Sequence, residues 1–289
     1  YGVNLKVVDV LFDGEQNAAQ DAKLAEALSS NASGQGNAKA PTVISQLFAL
    51  SPDAQVKSGQ LASASSMAAT ANTTCPAAST QAFGFMAAAP VFAQSSQAVG
   101  HITPIVDTDG NIRRVPAVVC YEGNAYPALA VAALSAATGS QAVFKTAPGL
   151  LQSGQVLDVG GIQIPVDAKG QLRVSYQMPR AGFVSVSAVD VIQGKVPAHM
   201  LKGAWALVGS TAFGGGDAVP TPQGGAVGGV EVHAQILSAA LDGRTPFVPA
   251  WAPLWPLATG ALALLALIFS LKASGPKAAV VVPAVALAS

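Results

Sequence analysis

From Thr245 to Leu271 the chain carries no charged residue. Within that run, "PLWPLATGALALLALIFSL" supplies about 18 to 19 apolar residues, roughly 27 Å as a helix, against a bilayer core of about 30 Å. A globular domain has little use for so long a charge-free segment, and the run predicts a transmembrane helix over 253–271. Trp251 and Trp255 stand at its start, where interfacial aromatics belong. Lys272 and Lys277 follow in a short loop, 272–277, and "AAVVVPAVALAS", 278–289, opens a second apolar segment. A short loop with two lysines is cytoplasmic under the positive-inside rule, so residues 1–250 are expected outside the cytoplasm. The chain starts at Tyr1 and stops inside an apolar run, and it reads as part of a longer protein.

Composition supports that reading. Only 10% of the residues are charged, against a usual value of about 25%. Fifteen basic and fifteen acidic residues leave no basic face for nucleic acid, so that class is excluded. With 6% aromatics, the core must be built from Ala, Val and Leu. Cys75 and Cys120, 45 residues apart, fit an oxidising compartment, and their spacing matches no metal site. A disulfide between them is the favoured expectation; two unpaired buried thiols are the alternative.

"VNLKVVDVLF" reads as a buried strand, "AAQDAKLAEALSS" as a helix with Leu24 and Leu28 one turn apart, and "PTVISQLFAL" as a second strand. That succession predicts a βαβ unit with some parallel sheet. Residues 51–80 form an Ala/Ser/Thr-rich surface excursion. "PALAVAALSAATG" is a helix with Pro127 at its first position and Gly139 past its end. "SVSAVDVIQGKVP" is a short serine-capped helix stopped by Gly194, and "GAWALVGST" a buried strand. "GVEVHAQILSAALDGR" closes the domain as a helix with Ile236, Leu237, Ala240 and Leu241 on its inner stripe. The fold class is therefore α/β: a mixed sheet with flanking helices and inserted antiparallel hairpins, followed by transmembrane helices.

Two hairpins share one phrase. "VDTDGNIRRV" resembles the opening of a calcium loop, but the sixth and twelfth positions from Asp107 are Ile112 and Val118, where glycine and glutamate are required. "VDAKGQLRV" repeats it, with Lys169 in place of the second aspartate. A reused turn explains both copies, and Asp107 and Asp109 are expected to bind no metal.

Chemistry is sparse. His101, His199 and His233 form no metal motif, no nucleophile has a base, and no cofactor is expected. The glycine-rich segment "GSTAFGGGDAVPTPQGGAVGG" lacks the lysine of a phosphate loop and the second glycine of a dinucleotide loop. Its glycines serve a sharp turn, or else they border a small-molecule pocket at the sheet's carboxyl edge, where Asp9 and Asp13 could face Asp217.

The order of six phrases, "VVDVLF", "GHITPIVDTDGNIRRVP", "YPALAVAAL", "VSAVDVIQGKVP", "LKGAWALVGSTAFGGGDAVPTPQGGAVGGVEVHAQIL" and a Trp before hydrophobic helices, resembles the type-2 CHASE domain over about Val3 to Trp251. The name stands for cyclase and histidine-kinase associated sensory extracellular domain. The resemblance implies an amino-terminal anchor, an outer sensory domain, two or three transmembrane helices, and a cytoplasmic adenylate or guanylate cyclase or a kinase. It implies no catalytic residue in this segment. The expected role is an extracytoplasmic sensor in the inner (cytoplasmic) membrane, answering an extracellular or periplasmic small-molecule or protein signal, with a homodimer left open. A membrane-anchored ectoenzyme and an envelope partner-binding module are the rival readings.

Overall fold

A computed structural model describes residues 1–15, 17–29, 40–61, 75–147, 154–211, 218–223 and 225–272. Asp217, Lys277 and the second apolar segment lie outside these.

Four strands run parallel in the order β15 (Trp205–Gly209), β1 (Leu5–Asp9), β2 (Thr42–Ala49), β6 (Ala98–His101). Their side chains alternate between two apolar clusters, as the period of two in a strand requires. Val8, Ile44 and Val99 pack with α1 (Ala18–Leu28) and α2 (Pro90–Ser95) on one face. Leu5, Val7 and Val43 pack with α3 (Leu129–Thr138) and α6 (Gly229–Leu241) on the other. The result is a three-layer body.

The centre of the body is α3. Every residue from Leu129 to Ser135 is buried, so the helix is apolar all round rather than amphipathic. It lies directly on β6 because Gly100 has no side chain: a Cβ there would stand 2.5 Å from Leu129 Cα. Gly139 ends the helix at φ 64°. Pro127 is not its first residue, as the sequence suggested, but the last of β10 (Asn124–Pro127). That strand forms a hairpin with β9 (Val118–Tyr121), and the proline's missing N–H fits a strand end.

Three further expectations are corrected. In α1 the inner residues are Ala25 and Leu28, with Leu24 exposed; the Asn17 side chain caps it by accepting from the N–H groups of Ala19 and Gln20. In α6, Leu241 is exposed and Val232 takes its place on the inner stripe. β15 is a half-buried edge strand, paired only to β1 among the described strands, rather than a buried one.

Antiparallel pieces extend this body. The far half of β2 pairs with β5 (Gly84–Met86), which β3 (Lys57–Ser58) joins in parallel, and β4 (Thr80–Gln81) runs parallel to β9. Strands β11 (Ala142–Thr146), β12 (Gln155–Val159) and β13 (Ile162–Val166) form a meander. β7 (Ile105–Val106) and β8 (Ile112–Pro116) flank the first copy of the repeated turn, and β14 (Gln171–Arg173) follows the second. β8 pairs with both β7 and β14, so the first copy closes a hairpin, whereas the second, against expectation, joins β13 of the meander to β14 of this three-stranded sheet. After α4 (Ala188–Ile192), α5 (Ala198–Leu201) and β15, the small hairpin β16 (Ala218–Pro220) and β17 (Ala226–Gly228) leads into α6. The last helix is α7 (Trp255–Lys272). Among the described residues it is the one helix long and apolar enough to cross a membrane, and none of its Ala252–Phe269 window is buried.

Candidate functional site

The two edges of the parallel sheet offer different surroundings. At the carboxyl edge, Asp9 and Gly209 end β1 and β15 opposite each other in register. The connections then diverge: β1 leads to α1 on one face and β15 to α6 on the other. Such a switch point is where open α/β sheets hold ligands. The approach here is close. A Cβ on Gly209 would lie 2.5 Å from the Val230 side chain, and one on Gly228 would lie 2.8 Å from the Ser210 carbonyl oxygen. These glycines let the start of α6 settle on the end of β15. Asp9 is buried and Asp13 exposed, with Phe12 between them turned to Phe92, ring centroids 5.4 Å apart. Asp217 lies outside the described residues. The structure thus places Asp9 at the switch point and Asp13 out in the following loop.

Deeper in the sheet, Gln46 and His101 are register partners on β2 and β6, both fully buried. His101 meets Phe48 edge to face, ring centroids 6.1 Å apart. Burial, with some help from the charge His233 would carry, pushes the His101 imidazole down to about 3, and burial alone holds His233 at about 4. Both are therefore neutral at physiological pH, with no exposure to act as ligands. The signal in the sequence is "SQ" inside a strand apolar on both faces.

At the other end of α6 lies a cleft of about 200 Å³. Its walls are the 175–179 segment, with Ser175 and Gln177, and the end of α6 with the residues just after it, Ser238, Asp242 and Arg244. Gln235 ties the walls together: its Nε2 donates to the Met178 carbonyl (2.7 Å) and its Oε1 accepts from the Met178 N–H (3.4 Å). Asp242 and Arg244 form an ion pair at the rim. The helix ends there at Gly243, φ 64°, whose N–H donates to the Ala240 carbonyl, while the Arg244 N–H donates to Ala239. No local pattern foretells this cleft, because its two walls lie some sixty residues apart and no motif marks either.

The aspartates of the first turn are occupied. Arg113 reaches Asp107 (3.0 Å) and Asp109 (2.7 Å), and Arg114 also pairs with Asp107. These hydrogen bonds hold both carboxyls below the usual range, with Arg114 the larger influence on Asp107 and Arg113 on Asp109. No group of three metal-ligating side chains occurs among the described residues. Cys75 and Cys120 are joined in a disulfide, Cα atoms 5.8 Å apart, which fastens the segment before β4 to β9.

No curated protein and no solved structure matches the chain. The model of one family, the CHASE2 domain, matches residues 1–271. That match covers the parallel body, the inserted hairpins and the apolar helix together. CHASE2 domains are extracellular sensory domains of membrane proteins and are not catalytic, and an α/β body ending in a membrane-length helix fits that plan: the chain belongs to the CHASE2 family.

Proposed function

We propose that residues 1–250 are the extracytoplasmic input domain of a multi-pass inner-membrane protein whose cytoplasmic output is a nucleotide cyclase or a protein kinase. The observation that carries this reading is the short linker that joins α6 to α7. The cleft sits on the last turns of α6, and about a dozen residues later the chain enters the apolar helix. A small-molecule or protein signal that prefers one arrangement of the cleft walls would shift the population of α6 positions, and the helix would pass that preference on. Moving a two-state equilibrium from 1:99 to 99:1 needs about 10⁴-fold tighter binding to one state. The turnover readings are set aside by the family; an envelope partner-binding module lacks any observation of its own.

The test uses the full-length parent in nanodiscs. Cyclic-nucleotide synthesis or protein phosphorylation should be present, and Ser238→Trp, which fills the cleft, should change its basal level. A parent without either activity, or one whose output ignores the filled cleft, would count against the reading.

A further inference from the structure

Several apolar side chains left uncovered by the fold share one end of the body, while others, such as Val106 and Val208, are exposed elsewhere. α4 buries none of its residues, and Val189 and Ile192, three apart and so on one helical face, are 56% and 84% exposed. Met200 in α5, Leu241 at the end of α6, and Phe247 and Val248 in the following linker are also exposed. These segments gather at the amino edge of the parallel sheet. The Tyr1 hydroxyl donates to the Val191 carbonyl (3.1 Å), and the Gly203 N–H donates to the Gly2 carbonyl (2.8 Å), which places α4 and α5 beside the entry to β1. α6 starts against Gly209 at the carboxyl edge and runs back along the sheet; its 13 residues, about 20 Å, return it to the amino edge.

We propose that this amino edge rests on a lipid bilayer, with Val189, Ile192 and Met200 in the boundary between headgroups and acyl chains. The proposal relies on the reading of α7 as a membrane-spanning helix. Given that, position decides the occupant. Trp251 lies only eight positions after Gly243, so the edge cannot stand more than about 28 Å from the start of the span even with the linker fully drawn out. The end of the linker stays against the body: the Ala250 Cβ lies 3.8 Å from where a Cβ on Gly154 would be. Trp251 and Trp255, ring centroids 5.8 Å apart, mark the interfacial depth at that point. Lys195 and Lys202, both exposed on the same segments, supply the cations that lipid phosphates attract, their stems long enough to lie along the apolar patch.

The full-length protein, reconstituted in vesicles of phosphatidylethanolamine and phosphatidylglycerol containing doxyl-labelled lipid, tests this with a fluorophore on one added cysteine at a time: Ile192→Cys, Thr259→Cys within α7, or Asp53→Cys in the exposed turn after β2. The expected result is loss of fluorescence at 192 and 259 and none at 53. Quenching at 259 without quenching at 192 overturns the proposal and leaves the spanning helix intact. No quenching at 259 removes the spanning helix and the proposal with it. An unquenched 192 that cross-links to its counterpart in a second copy assigns the patch to a dimer instead.

Discussion

The turns at Asp107–Gly110 and Asp167–Gly170 have the same backbone and different duties. In each, the aspartate N–H donates to the residue four places on, Asn111 (3.0 Å) or Gln171 (3.1 Å), and the glycine N–H donates back to the aspartate carbonyl (2.9 Å in both). Gly110 and Gly170 both take positive φ, 81° and 68°. Around Gly110 there is open space, whereas a Cβ on Gly170 would stand 1.7 Å from the Ala78 carbonyl oxygen. The first turn is trimmed with ion pairs to Arg113 and Arg114. The second has Asp167 Oδ1 accepting the Lys169 and Gln171 N–H groups (2.9 Å each), and serves as the seat for the segment that the disulfide holds down. A repeated phrase therefore reproduces a conformation, while the surroundings decide what a substitution costs.

The largest effect should separate the two glycines. Gly170→Ala collides with backbone and should cost about 4 kcal/mol or prevent folding. Gly110→Ala meets only the left-handed strain of a side chain, about 1 kcal/mol. Denaturant melts of the two variants measure the gap; equal costs would mean that the Ala78 contact is not tight.

Removing the disulfide with Cys75→Ala and Cys120→Ala should cost about 3 kcal/mol, since a 45-residue loop is released. If the segment's hold on the second turn comes from the disulfide, the extra penalty of Gly170→Ala over Gly110→Ala shrinks in that background. An unchanged penalty would show the seat to be independent of the bond.

Acid should weaken the body that both turns share. His101 and His233 titrate at about 3 and about 4 when folded and near 6.5 when unfolded. Below 6.5 the unfolded chain binds the protons first, so their contribution is complete above that pH and is lost as pH falls towards the folded values. At pH 5 the loss is on the order of 2 kcal/mol for each histidine. Asp107 and Asp109, held low by their arginines, stay ionised there. Thermal melts from pH 7 to pH 5 should fall equally for variants of either turn, and His233→Gln should flatten the slope.

The smallest effect belongs to the first turn's charges. Arg113→Ala removes an exposed pair with Asp109 and a partly buried one with Asp107, which Arg114 still pairs, and should leave stability nearly unchanged. Added calcium should not raise the melting temperature of the wild type, and a rise abolished by Asp109→Ala would restore the metal reading.

The repeated turn was legible because glycine and aspartate at fixed offsets report a local conformation. So was α3, whose unbroken apolar run matches a helix buried on every side, and so was the membrane-length run of α7. Contacts between distant segments were not legible. Pro127 looked like a helix start, and only pairing with Val118 makes it a strand end. "GAWALVGST" looked buried, but the sheet stops at β15 and leaves Val208 exposed. The cleft by α6 depends on Gln235 meeting Met178 across 57 residues, a meeting that no local pattern announces.

A sensor of outside signals must carry its α/β body on the outer side of the membrane. In the full-length protein, alkaline phosphatase inserted after Gly243 should be active and the same enzyme after Gly275 silent, because the lysine-bearing loop is retained in the cytoplasm. Activity at the second site and silence at the first would put the sensory body in the cytoplasm and contradict the account.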